Sequence, residues 1–185
     1  MTFNDRGWDR PKLISIKKQF IEEAYLYSFK SREFTSNRHD FHEGGINAKQ
    51  RKMYEGKLGE KIFKQFLIDN NIDFTEDSSH HTEADKYDFI INEDLLVDVK
   101  TRTKDFHTRT LEMVEQFNKN PKHIYISVRL YVEDKNGFII GWVGRSDIKK
   151  INRIENNGYL DNYVIYDNEL RDMNTLMDNI RVLGR

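Results

Sequence analysis

The run Leu95-Leu96-Val97-Asp98-Val99-Lys100-Thr101 constrains this chain more than any other stretch. Leu95, Val97 and Val99 alternate with Leu96, Asp98 and Lys100, which is the period of a β-strand. Asp98 and Lys100 therefore share one face, about 7 Å apart at roughly 3.3 Å rise per residue. The run is otherwise apolar, so it reads as a central strand, where a charge buried without purpose is costly. A second acid stands upstream in Tyr87-Asp88-Phe89-Ile90-Ile91. The intervening Asn92-Glu93-Asp94 is short and polar, as a hairpin requires. Such a hairpin brings Asp88, Asp98 and Lys100 together.

Two carboxylates can hold a hard divalent cation such as Mg²⁺. A lysine beside them can orient or deprotonate a water, or neutralise a phosphate. The competing reading is a solvated strand face with an Asp–Lys surface pair of little worth. Upstream, the spacing predicts a long helix over 47–69, with Ala48, Met53, Leu58, Ile62, Phe63, Phe66 and Leu67 as its buried stripe. Gly59-Glu60 falls in its middle. Glycine costs a helix about 1 kcal/mol relative to Ala, so a close approach of helix to hairpin is expected there. Glu60 then points at Asp88 and Asp98. The alternative is a solvent-facing Glu60 paired with Lys57 or Lys64.

With Gly59-Glu60 in a helix ahead of D-x9-D-V-K on a hairpin, residues 50 to 145 resemble the PD-(D/E)xK nuclease superfamily, the restriction-endonuclease-like fold. The resemblance implies an α/β domain with a mixed central sheet of four or five strands flanked by helices. It implies an endonuclease that hydrolyses phosphodiesters in DNA with Mg²⁺, for which Mn²⁺ substitutes. Asp88, Asp98 and the main-chain carbonyl of Val99 would hold the metal, with Glu60 completing its shell. Lys100 would position the attacking water and assist its deprotonation. Tyr87 departs from the pattern, which has proline before the first acid. Gln116 is followed by Asn120 rather than Tyr, so the Gln-x3-Tyr motif of the RecB-like branch is not carried over. Within the same fold the alternatives are a Holliday-junction resolvase acting as a homodimer and a sequence-specific restriction enzyme. An alternative of another class is a DNA-binding protein without turnover.

The net charge of −1 hides a strong segregation. Residues 48–67 carry six Lys/Arg against two Glu, and residues 100–153 carry twelve against six acids. Between them, residues 71–99 hold nine acids and one lysine. Basic surface flanking an acidic, cation-binding segment suits a polyanion cleaved at a metal. Thr101, Arg102 and Lys104, leaving the strand after Lys100, are the natural phosphate contacts by hydroxyl and cation.

The rest of the chain is expected to complete one domain. Residues 1–45 form an N-terminal extension, with Pro11 opening an amphipathic helix over 11–30 on Leu13, Ile16, Phe20, Ile21 and Ala24. Residues 46–150 form the catalytic core and 151–185 a closing segment. His39 and His42 sit in a loop and, like His80 and His81 in the polar stretch 75–86, read as surface rather than metal ligands. A short helix is expected over 111–117, then strands over 123–132 and 138–143 about the turn Asp134-Lys135-Asn136-Gly137. A helix capped by Ser146 follows, and the closing segment holds a strand at 163–166. There is no cysteine, hence neither disulfide nor thiolate metal site. No stretch is long and apolar enough for a membrane span. Met1–Arg6 shows no signal-peptide pattern, so the expectation is a cytoplasmic protein, encoded in one version of this reading by a phage, virus or mobile element.

Overall fold

The computed structural model describes residues 11–35, 46–77, 87–156 and 158–183. The protein is mixed α/β. Its strands are β1 (Ile14–Ser15), β2 (Phe74–Glu76), β3 (Phe89–Ile91), β4 (Leu95–Arg102), β5 (Arg109–Met113), β6 (Ile124–Tyr131), β7 (Asn136–Gly144), β8 (Ile154–Asn156) and β9 (Asp161–Tyr166). Its helices are α1 (Lys18–Thr35), α2 (Ile46–Asp69), α3 (Val114–Lys119), α4 (Arg145–Ile151) and α5 (Met173–Leu183). Six strands make one sheet in the order β1-β7-β6-β4-β3-β2, and three make a second in the order β5-β9-β8.

The hairpin forms as its sequence dictates, with Phe89 opposite Val97 and Ile91 opposite Leu95. Asn92 and Glu93 in its turn take positive φ, at 48° and 67°. β4 then pairs with β6 in parallel, from Val97–Ile124 to Arg102–Arg129. A parallel pair needs a crossover, and the segment 103–123, which carries β5 and α3, supplies it. β6 is buried along nearly its whole length, as a strand covered on both faces must be.

Two cores result. On one face, Leu58, Ile62, Phe63 and Leu67 of α2 pack with Phe20 and Ala24 of α1, Val97, Ile126, Val128 and Trp142 of the sheet and Ile180 of α5. On the other, Tyr125, Ile140 and Val143 pack with Phe117, Ile148, Tyr163 and Ile165 of the second layer. Lys61 and Lys64 of α2 clasp the Glu76 carboxylate of β2 at 2.5 and 2.6 Å, fixing the helix across the hairpin's outer edge.

Several expectations are corrected. The central sheet has six strands, not four or five, because β1 and β2 add to its edges. Pro11 does not open a helix; residues 14–15 pair with β7 and the helix begins at Lys18. Ile14 and Ile16 enter the first core, so this part of the N-terminal segment is built into the sheet rather than added to it. Residues 109–113 are a strand, and only 114–119 are helical. The N-cap of α4 is Gly144, whose N–H donates to the Asp147 carboxylate at 3.2 Å, and not Ser146. His39, His42, His80 and His81 lie outside the described residues. Among the described residues, no helix is long and apolar enough to cross a membrane.

Candidate active site

The site begins where β3 ends. Asp88 stands just before the first residue of that strand; its N–H donates to the Val97 carbonyl at 2.9 Å, and its carbonyl accepts from Asp77 at 3.0 Å. The last ladder pair is Phe89–Val97, and beyond it the Asp88 side chain takes over: Oδ2 accepts the Val99 N–H at 2.6 Å. This carboxylate therefore lies at the end of β3, inside the sheet and against a main-chain amide of β4.

The faces of β4 divide as period 2 requires. Val97 and Val99 pack toward α2 and its core. Thr101 lies on that side too: a Cβ on Gly59 would stand 1.9 Å from Thr101 Oγ1. The glycine in the middle of α2 is thus explained by close approach of helix and strand, as its cost to the helix implied. This approach lays α2 beside the hairpin and carries Glu60 close enough for its charge to act on Asp88.

On the opposite face stand Asp98 and Lys100. Lys100 Nζ lies 2.8 Å from Asp98 Oδ2 and 2.6 Å from Glu112 Oε2. Tyr125, paired in register with Asp98, puts its ring 6.0 Å from the same ammonium. Burial alone would lower the Lys100 pKa; the two carboxylates outweigh it and hold the ammonium above the ordinary lysine range. Burial also pushes the Glu112 carboxyl up, with Lys100 pulling back and Asp98 adding to the rise.

Asp88 is the group under most pressure. Burial, then the charges of Glu60 and Asp98, push its carboxyl well above the usual carboxylate range; Lys57 and the Val99 N–H only partly oppose this. Glu60 itself is buried and 2.9 Å from Lys57 Nζ. The partner foreseen for a solvent-facing Glu60 is present, but inside the protein. Among the described residues no three His, Cys, Asp or Glu side chains converge as a ready-made metal cluster. The donor set nonetheless suits Mg²⁺, which is commonly held by one or two carboxylates and keeps several waters. Asp88 and Asp98 are such a pair, and Asp88 carries repulsion that a cation would relieve.

The three foreseen phosphate contacts separate. Thr101 packs on Gly59 and lies 3.4 Å from the Gly56 carbonyl. Arg102 is buried, and its guanidinium donates to the His107 carbonyl at 2.8 Å, Ser127 Oγ at 2.8 Å and Asp167 Oδ1 at 2.6 Å. Its donors serve the junction of the two sheets. Lys104 is exposed. An open cleft of about 640 Å³ runs past Lys100 between α2 and the start of β5, lined among others by Lys52, Thr103, His107 and Arg109.

Glu112 was not singled out from the sequence, and Lys57 was named only as a partner of a solvent-facing Glu60. Glu112 carried a usable signal, an acid inside Thr110-Leu111-Glu112-Met113-Val114, much as Asp98 sits in its own apolar run. No protein-family model, curated protein or solved structure matches this chain.

Proposed function

We propose that the protein is a metal-dependent nuclease that hydrolyses phosphodiester bonds in DNA, with Asp88 and Asp98 holding Mg²⁺ or Mn²⁺ and Lys100 beside them. The observation that carries this reading is the buried Asp88 carboxylate, pressed by the charges of Glu60 and Asp98, beside a strand whose Lys100 ammonium is fixed on Asp98 and lines a basic cleft. The resemblance to the PD-(D/E)xK superfamily rests on the same residues. A bound cation would supply Lewis acidity and positive charge to the scissile phosphate. The Val99 N–H and the hairpin turn orient Asp88. Asp98 would divide its attraction between the cation and Lys100, while Glu112 keeps the lysine in place.

Held above its ordinary pKa between two acids, Lys100 is an ammonium. Its role is to donate to a phosphate oxygen or an attacking water and to stabilise developing negative charge, rather than to remove a proton. Val99 contributes its main chain and Glu60 the outer charge of the site, set by Lys57. The ion pairs that already engage Asp98 with Lys100 and Glu60 with Lys57 favour one second reading, a DNA-binding protein without turnover.

The test is incubation with Mg²⁺ or Mn²⁺ and labelled linear duplex, supercoiled circle, single strand, flap and four-way junction, with Lys100→Ala as control. Metal-dependent cleavage lost in the variant supports the nuclease, and preference for the junction specifies a resolvase. Binding without cleavage of any substrate overturns the enzyme in favour of the second reading.

A further inference from the structure

We propose that the loop between β4 and β5 is a stacking platform for an unpaired base, so that the strand led to Lys100 is single-stranded or locally unwound polynucleotide. This deepens the nuclease reading and rests on it for the ligand at Lys100; the platform itself rests on separate observations.

The first is Phe106, which is 77 % exposed at the tip of the loop. Its ring meets that of His107 edge to face, 4.7 Å between centroids at 82°, so at least one flat face of the phenyl ring is uncovered by this neighbour. Large aromatic rings ordinarily supply core burial, and this one does not.

The second is that the loop is anchored while its tip is bare. Arg102 Nη1 donates to the His107 carbonyl at 2.8 Å, and Arg129 Nη2 donates to the same carbonyl at 2.9 Å. Arg129 Nη1 donates to the Lys104 carbonyl. Both arginines are buried and stand opposite each other on β4 and β6. Two buried side chains thus fix the backbone on either side of Phe106. Fixing a contact residue before binding reduces the ordering cost of the complex.

The third is charge. Phe106 and Lys100 line the same cleft, together with Lys52 and Arg109. Burial and then the positive charges of Arg129, Arg102, Lys104 and Arg109 hold the His107 imidazole below its usual range. An apolar ring in a cationic field complements a base carried on a phosphate backbone; an apolar protein surface would gain nothing from the field. A neighbouring cleft of about 490 Å³ shares Lys52, Glu55 and Thr103 with the first and extends it past Lys104, giving a backbone room to run.

Stacking on an aromatic ring tolerates any base, because every base has a π-face. A base inside a duplex has both faces covered by its neighbours, and uncovering them costs energy. The platform therefore selects unpaired bases without reading sequence.

The test is fluorescence anisotropy in EDTA with labelled single-stranded DNA, single-stranded RNA and duplex DNA, using wild type, Phe106→Ala and Phe106→Trp. The expected result is a loss of about 10-fold in single-strand affinity for Phe106→Ala, retention in Phe106→Trp, and duplex affinity within about twofold of wild type. The DNA and RNA arms show which strand is preferred. Equal single-strand affinity in Phe106→Ala, or equal losses on single strand and duplex, overturns the platform. The same proteins are then assayed in Mg²⁺. Cleavage by wild type that Phe106→Ala matches on single strands overturns the platform and leaves the nuclease standing. Phe106-dependent binding without any cleavage supports the platform and overturns the nuclease.

Discussion

Glu112 of the second sheet places a carboxylate oxygen 2.6 Å from the ammonium of Lys100 in the first. One ion pair thus joins the two layers at the site and fixes where the lysine stands. Asp98 holds the other side of the ammonium at 2.8 Å. Were a cation to draw on Asp98, Glu112 would still hold Lys100 in place.

Glu112→Gln keeps the shape and removes the charge. Because the carboxylate is 4 % exposed, the change is expected to cost about 1–3 kcal/mol in urea unfolding. Cleavage is expected to fall about 10- to 100-fold, the usual penalty for loss of a residue that orients a functional group. Glu112→Asp, which retains charge at shorter reach, is expected to recover part of the rate.

Asp88 is expected to oppose stability at neutral pH. Its pKa in the folded protein lies above the unfolded value, so its contribution is fully present below the unfolded pKa and is lost as pH rises through the folded one. Asp88→Asn can still accept the Val99 N–H and has no charge to bury. Its urea midpoint at pH 7 is expected above that of wild type, with the gap closing as the pH falls through the raised folded pKa toward about 4 and absent below it. Saturating Mg²⁺ is expected to raise the wild-type midpoint and leave the variant unchanged.

Gly59→Ala would drive a methyl group into Thr101, where Oγ1, Cγ2 and Cβ stand 1.9, 2.7 and 2.8 Å from the new atom. Overpacking of this kind costs about 1–3 kcal/mol, despite the better helix propensity of Ala. The double variant with Thr101→Ala is expected to lose less than the sum of the singles, measured by chemical denaturation.

Arg102 and Lys104 separate fold from surface. Arg102→Ala removes a buried guanidinium that joins Asp167, Ser127 and the His107 carbonyl, and is expected to cost about 3–5 kcal/mol. Lys104→Ala is expected to change stability by less than about 0.5 kcal/mol. It should weaken DNA binding and reduce the salt slope by about 1, read from affinities at several ionic strengths.

These contrasts show which parts of the site were visible in the residues. Asp88, Asp98 and Lys100 sit on one hairpin, so local alternation and a short turn bring them together. Gly59 was legible because a glycine inside a helix needs a reason. Glu112 showed only as an acid in an apolar run; its burial did not show, because β5 reverses the usual pattern: Thr110 and Glu112 are buried while Leu111 is exposed. That strand exists by pairing with β9, Leu111 against Val164, a contact no local window contains. Arg102 misled for the same reason, since its partner Asp167 lies 65 residues away. β1 is two residues long, too short to show a period at all.

The proposed nuclease stands or falls on Asp88 and Asp98 together holding a divalent cation. Calorimetric titration of Mn²⁺ into wild type, Asp88→Asn and Asp98→Asn tests it most directly. A saturable isotherm is expected for wild type, with the heat lost in each variant although both remain folded. Equal Mn²⁺ binding in all three proteins, or none in wild type, would contradict it.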